Sequence, residues 1–274
     1  MSSEVEVAPA VRSVSAGRAL HWLALGLRDL LGCPALSLAH GVVFAAFGAL
    51  LAWFARDRFW LLAGAFSGFL VVAPVLATGL YSISRSLQRT GRATLSDVTR
   101  TWLRFRTADG PLDTRMLRFG LLLALAGTGW VLTSAALITV FAPQPIERPM
   151  DFLRHVVLAP DNLLFESWFL LGAVLAAPVF ASSVVALPML LDRPSVSVLQ
   201  AVLTSWRTVL ANPAAMALWA ALILLLTLVG LATALLGLIV TLPLLGHASW
   251  HAYRDLVAPG PRDTLPEPGL GAPP

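Results

Sequence analysis

Residues 214–254 read AAMALWAALILLLTLVGLATALLGLIVTLPLLGHASWHAYR, a run with no Asp, Glu, Lys or Arg before Arg254. As one straight α-helix it would reach about 60 Å, twice the roughly 30 Å of bilayer hydrocarbon. It must fold back. Gly230 and Gly237 offer the break, which predicts a fifth span over about 213–232 and a sixth over about 235–255, joined by an uncharged turn. Four further apolar stretches, at about 35–55, 59–83, 116–142 and 164–191, complete six predicted spans. With 57% hydrophobic and 12% charged residues, against roughly 25% charged in a soluble domain, the chain needs a bilayer as its solvent. Arg, Asp and Glu are excluded from the span interiors. That argues against ion or proton coupling, because ionisable groups at mid-membrane depth are costly and are kept mainly for function.

The net charge of +4 and pI near 10.5 would suit nucleic acid, yet all nineteen basic residues are Arg and their placement follows topology instead. Fifteen fall in alternate segments: before span one, between spans two and three (Arg85 to Arg118), between four and five (Arg193, Arg207), and after six (Arg254, Arg262). Four, Arg56, Arg58, Arg148 and Arg154, fall on the opposite side, beside Asp57, Glu147, Asp151, Asp161 and Glu166. Arg near span ends marks cytoplasmic segments, so both termini are expected in the cytoplasm. A lone Cys33 excludes an internal disulfide and a CxxC site. No cleavable signal peptide is read.

Amphipathic segments separate the spans. Leu199, Val202, Leu203, Trp206, Val209 and Leu210 recur at helical spacing in Val196 to Leu210, with Gln200, Thr204, Arg207 and Thr208 on the other face. Leu95 to Phe105 does the same, opened by a Thr94–Asp97 capping box, and Trp22 to Leu31 is a third. Each carries a Trp on the Arg-rich side, which predicts interfacial helices anchored by their indoles. Met150 to Leu158 is a weaker fourth candidate on the opposite side.

These pieces repeat. Arg28 and Arg207 each precede, by six residues, a proline that opens a span, Pro34 and Pro213. Pro74, Tyr81 and Arg85 match Pro243, Trp250 and Arg254 in spacing. The fold class expected is therefore an all-α membrane protein of six transmembrane helices in three hairpins, each preceded by an interfacial helix, with pseudo-repeats at about 20–92, 94–192 and 195–256. Residues 1–19 and 258–274 are expected to be disordered tails around this single domain, 20–257.

Chemistry is sparse. His40, His247 and His251 form the one candidate metal or haem cluster, with no carboxylate at matching depth; interfacial histidines reaching water or headgroups is the blander reading. Pro74, Pro178, Pro188 and Pro243 suggest transporter-like helix breaks, or kinks packed against neighbours. Gly64 with Gly68, the stripe Ser37, Gly41, Ala45, Ala49, and the stripe Ala173, Ala177, Ala181 suit close helix packing. Without Lys there is no P-loop or Schiff-base lysine, and no GxSxG, HExxH or GxGxxG occurs. No Ser–His or Asp pair is visible within the spans, so no enzyme, catalytic residue or cofactor is expected.

Trp22-Leu23-Ala24-Leu25-Gly26-Leu27-Arg28-Asp29-Leu30, Gly79-Leu80-Tyr81-Ser82-Ile83-Ser84-Arg85, Leu187-Pro188-Met189-Leu190-Leu191-Asp192 and the closing Pro243-Leu244-Leu245-Gly246-His247-Ala248-Ser249-Trp250-His251-Ala252-Tyr253-Arg254-Asp255-Leu256 together resemble the bacterial integral membrane proteins grouped as domain of unknown function 2189. The likeness runs over about residues 20–257. It implies a multi-span inner-membrane protein with no catalytic residues to carry over. Some relatives are labelled oxidase subunit one. The six intramembrane histidines of a haem-copper core contradict that label here, since this chain has five in all and His21 and His155 lie outside the spans. The expected function is non-enzymatic binding, to a membrane-protein partner or to lipid, including anionic lipid at the Arg85–Arg118 loop. The alternative is a transporter or flippase for an apolar or amphipathic solute.

Overall fold

The computed structural model describes residues 9–55, 76–103, 113–159 and 163–259. The first part of the second expected span, with Gly64, Gly68 and Pro74, lies outside them, as do Arg104 and Arg106 of the Arg-rich loop and the tails 1–8 and 260–274. Among the described residues the chain is all-helical: α1 Arg18–Gly32, α2 Pro34–Ala55, α3 76–90, α4 Leu95–Leu103, α5 Arg115–Phe141, α6 Pro149–Phe152, α7 Leu164–Ser183, α8 Ala186–Asp192, α9 Val198–Ala211, α10 Pro213–Ala232 and α11 Leu238–Leu256. A π-turn, Leu153–Val157, extends α6 over the weak fourth candidate. Four helical stretches are long and apolar enough to cross a membrane: Pro34–Phe54, Arg115–Phe141, Leu164–Asp192 and Pro213–Ala232. Their outer faces expose Val43, Leu125, Leu132, Phe169, Leu170 and Leu225. So continuous an apolar surface is a lipid-facing one.

Prolines set the corners. Pro34 and Pro213 each occupy the first helical position, where a missing N–H costs nothing. The residues before them, Cys33 (φ −143°, ψ 62°) and Asn212 (φ −134°, ψ 51°), adopt nearly the same backbone conformation. The two α-helix, corner, span units thus share a local geometry as well as a spacing. Pro188 has the opposite effect. Its ring cannot accommodate the carbonyl four residues back, and the expected fourth span breaks at Val184 and Val185 into α7 and α8. Ser205 of α9 takes up the stranded Val185 amide.

The turn between α10 and α11 falls at residues 233–237, where the apolar run had to fold back. The glycines serve it differently from the expectation. Gly237 has φ −64°, and the left-handed positions are Ala234 (φ 53°) and Leu235 (φ 71°). Gly230 and Gly237 are needed for close approach, since a Cβ on Gly230 would stand 2.4 Å from Leu238 Cδ2. Left-handed backbone costs an L-residue about 1–2 kcal/mol, partly offset by the greater unfolded-state freedom of glycine. Ala234→Gly should therefore stabilise the protein by about 0.5–1 kcal/mol, read as a higher unfolding midpoint in detergent. An unchanged or lower midpoint would contradict this turn geometry.

α11 is the hub of the bundle. Eleven of its residues are buried, against α1, α2, α8 and α10, and this explains why it can carry Thr, His, Trp and Arg. Contact with α1 is close because Gly26 lies on the backbone of α11: a Cβ there would be 2.8 Å from Ala248 N and Leu244 O. Trp22 accordingly does not anchor at a headgroup. It is fully buried, edge-on to Trp219 at 5.8 Å, and its indole N–H donates to Asp255. Trp102 packs half-buried on His40. Of the three expected anchors only Trp206 is exposed, at 38%.

The faces of α9 are also informative. Leu199, Leu203 and Leu210 point outward, while Ala201, Thr204, Ser205 and Thr208 pack inward. Thr204 and Thr208 satisfy their hydroxyls on the carbonyls four residues back, and so can be buried without a partner helix. Ser197 and Gln200 form a reciprocal capping box at its start. At Thr94–Asp97 only the carboxylate half is made: Asp97 accepts from both the Thr94 amide and hydroxyl. These bonds hold the Asp97 carboxyl below its ordinary value.

The chain ends meet. Val11 and Val257 form an isolated antiparallel bridge, Arg12 N donates to Leu256 O at 2.8 Å, and Ala258 N donates to Ala10 O at 2.9 Å. Asn212 secures the same segment through Val14 N and Arg12 O. Residues 10–14, expected within the N-terminal tail, are thus bonded to the end of α11.

Candidate functional site

Where α1, α2, α3 and α11 meet, the structure assembles a buried polar network that the sequence reading did not foresee. α1 carries Trp22, Gly26 and Asp29 at helical spacing on one face, and the glycine lets Asp29 reach α11. His251 Nε2 lies 2.7 Å from Asp29 Oδ2 with both side chains buried. The Trp250 indole donates to Gln88 Oε1 at 2.9 Å, which orients the amide so that Gln88 Nε2 donates to His251 Nδ1 at 3.2 Å. His251 therefore carries its proton on Nε2 and donates it to Asp29.

His247, one turn earlier, bridges two hydroxyls: Ser37 Oγ is 2.9 Å from Nε2 and Ser84 Oγ is 2.8 Å from Nδ1. Ser84 also hydrogen-bonds Asp29. A carboxylate only accepts, so Ser84 donates to Asp29 and accepts from His247 Nδ1–H, leaving His247 Nε2 to accept from Ser37. The bonds run in one direction, Ser37 to His247 to Ser84 to Asp29. Burial alone would raise the Asp29 carboxyl above its ordinary 3.8; the His251 and Ser84 bonds and the neighbouring imidazoles prevail and lower it. Arg28, 3.8 Å away and mostly exposed, adds little.

Two expectations are corrected here. A carboxylate does stand at the depth of the histidines, supplied by α1 rather than by a span. A Ser–His pair is also present, Ser37 with His247, contributed by helices 210 residues apart in sequence. Both residues are fully buried, and neither lines any of the three principal cavities.

The histidine cluster does not converge on one point. His247 and His251 each have both ring nitrogens engaged by the partners above. His40 donates through its Nδ1–H to Leu36 O, 2.7 Å away. Its Nε2 is buried over Gly79 without a hydrogen-bond partner among the described residues. No group of three metal-ligand side chains surrounds one position among the described residues.

Pro243 explains the closeness of α2 and α11. It removes the N–H that the Ile239 carbonyl would have accepted. Gly41 sits directly on that carbonyl: its hypothetical Cβ would be 2.1 Å from Ile239 O. A Cα–H of glycine can meet a freed carbonyl where no larger residue fits. The stripe Ser37, Gly41 and Ala45 is buried in this contact, whereas Ala49, Ala173 and Ala177 are exposed.

Not all arginines face lipid or water. Arg115 binds Asp113 through Nε and Nη2 and caps the end of α8 through Arg193 O (3.0 Å), Val196 O (2.7 Å) and Leu190 O (3.3 Å). Asp113 is held below its ordinary value, chiefly by the Arg115 hydrogen bond. Asp192 accepts from Tyr253 and Arg254, joining α8 to α11.

A further cavity is of another kind, a groove of 510 Å³ between α5 and α7, lined also by Val202 of α9. Leu122, Leu123, Leu175 and Val179 line it, Ser182 and Thr133 supply its few hydroxyls, and Leu122 and Gly129 are exposed along its opening. Trp206 donates to Ser182 at 2.9 Å, fixing α9 against α7.

No curated protein and no solved structure matches the chain. A family model does, over a narrower range than the resemblance of about 20–257 implied: it includes Gly79–Arg85 and Leu187–Asp192 and stops short of the closing α11 motif. Residues 61–192 match the model of the family described as a predicted integral membrane protein, domain of unknown function 2189, and it is this stretch of the chain that is similar to the family.

Proposed function

We propose that this is a six-span protein of the bacterial inner membrane, built as three helical hairpins each led by an interfacial helix, with both termini cytoplasmic and a non-enzymatic, binding role. The bonded chain ends support an even number of crossings. The Arg asymmetry supports their side. Reporter fusions after Asp57, Arg106, Asp151 and Ala258 test the topology: periplasm-active reporters should give signal at the first and third alone. Signal at Ala258 would overturn it.

One observation carries the binding role. Asp29, His247 and His251 are paired inside the bundle, while the 510 Å³ groove along α5 and α7 is apolar and open. Such a surface recognises another apolar body, a partner's transmembrane helix or a lipid chain, rather than a polar substrate. Tagged protein purified in mild detergent should retain a stoichiometric lipid or membrane-protein partner. A folded, monodisperse preparation that carries neither would end this reading.

The transporter reading draws support from Pro243, which frees a backbone carbonyl in α11. Gly41 covers that carbonyl, and this weighs for a packed kink. Substrate accumulation in proteoliposomes that is abolished by Pro243→Ala would favour transport.

A further inference from the structure

We propose that the α5–α7 groove holds one acyl chain of an anionic phospholipid from the Arg-rich leaflet, with Arg118 receiving its phosphate. This rests on the binding role above and names its ligand.

The first argument is depth. From Phe119 to Thr133, both lining the groove, α5 rises about 21 Å, enough to cover the roughly 15 Å of one leaflet, half of the hydrocarbon thickness. The groove therefore covers the depth of one leaflet and part of the next, and falls short of the full hydrocarbon thickness. Trp130 lines it towards its far end and packs on Trp168 at 5.4 Å and against Gly172. Val202 of α9 lines it beside Ser182. A partner helix crossing the membrane would need a trough running the full length of α5, and this one stops at Thr133, with eight residues of the helix still to come.

The second argument is charge. Arg118 is exposed one turn before Leu122, so that its side chain stands on the same edge of α5 at the mouth of the groove. Its neighbour Arg115 is spent on Asp113 and the α8 carbonyls. α5 and α9 carry no Asp or Glu, so the amine of a zwitterionic headgroup meets no carboxylate on either helix, while the phosphate meets a guanidinium. An anionic headgroup is favoured for that reason. The groove lining is otherwise apolar, as an acyl chain requires.

Gly129 gives a clean test. It lines the groove, and a Cβ there meets nothing within 4 Å. Gly129→Phe should therefore fill the space without disturbing the fold, which an unchanged unfolding midpoint would establish. The full chain, delipidated in detergent and titrated with phosphatidylglycerol or phosphatidylcholine of matched chains, is read by native mass spectrometry. One phosphatidylglycerol should be retained per chain. Gly129→Phe should reduce retention of both lipids at least about tenfold, the weight of burying only two or so methylenes. Arg118→Gln should cost phosphatidylglycerol about fivefold, the worth of one Arg at a lipid surface, and phosphatidylcholine less, because its choline cation already offsets the phosphate charge. Lipid retained equally by Gly129→Phe and the parent chain would place the lipid elsewhere and overturn the site. A parent chain that holds no lipid would also overturn it. The wider binding role fails separately, only if the same preparation carries no membrane-protein partner either.

Discussion

Replacing Gly41 by leucine is expected to destroy the fold. The Cβ alone would lie 2.1 Å from Ile239 O and 2.6 Å from the Ile239 carbonyl carbon. Both are backbone atoms that no rotamer change can move. α2 would have to withdraw from α11, exposing Ser37, Ala45 and His247, and uncovering the carbonyl that Pro243 leaves without a donor. Losses of this kind exceed about 4 kcal/mol, and the protein should be recovered as aggregate in mild detergent. Gly48→Leu is the control on the same helix, because a Cβ there makes only ordinary contact, 3.5 Å from Leu235. If Gly41→Leu purified as a monodisperse helical protein with an unfolding midpoint near that of the parent, the α2–α11 contact would be wrong.

The second large effect is expected at Asp29. Removing one partner of a buried ion or hydrogen-bonded pair typically costs 3–5 kcal/mol, because the group left behind keeps its desolvation penalty. Asp29→Ala strands the His251 Nε2–H and the Ser84 hydroxyl together, and the exposed Arg28 compensates for neither. A loss of about 3 kcal/mol follows. Asp29→Asn keeps one acceptor oxygen for the His251 Nε2–H and offers its amide N–H to the Ser84 hydroxyl oxygen, and should cost less than Asp29→Ala. The pH dependence has a definite sign. Because the folded carboxyl is held below its ordinary 3.8, its stabilisation is fully present above that value and is lost as pH falls through the lower folded value. The parent chain should thus lose stability on acidification below about pH 4, and Asp29→Asn should lose less. Parallel acid sensitivity in the two proteins would show that the Asp29 network does not carry it.

Much of the architecture was legible in the sequence because a bilayer enforces composition so strictly. Pro34, Pro213 and the end of the 213–232 run announced their helix boundaries to within a residue or two. Charge exclusion located the four long apolar helices. What stayed hidden depended on which neighbour a helix would find. α1 reads as an interfacial helix from its pattern alone, and only the approach permitted by Gly26 turns Asp29 and Trp22 from headgroup contacts into buried partners of His251 and Asp255. The same holds for Ser37 and Ser84. Serines are common in apolar helices, and nothing local says that two of them will bracket one imidazole. In α9 the spacing of Leu199, Leu203 and Leu210 marks one apolar face, but the inward face is made of Thr204, Ser205 and Thr208. They can pack there because the threonines bond within their own helix.

The Arg-rich side carries a related lesson. Counting guanidinium groups by segment says nothing of their partners: Arg115 is a clamp between α5 and α8, and Arg18 and Arg254 pair with Asp255 and Asp192. Arg118 is of a different kind, standing exposed at the mouth of an apolar groove.

The arrangement of α11 as a buried return helix, ending beside the N-terminal segment, is the claim on which the rest depends. It is tested most directly by placing cysteines at Val11 and Val257 in a Cys33→Ser background and oxidising the protein in intact membranes. Opposed residues of an antiparallel bridge lie about 4.5–5.5 Å apart at Cα, within reach of a disulfide. An efficient intramolecular cross-link, absent from either single-cysteine chain, is the expected result. Two thiols that stay unlinked, or that react with reagents from opposite sides of the membrane, would contradict it.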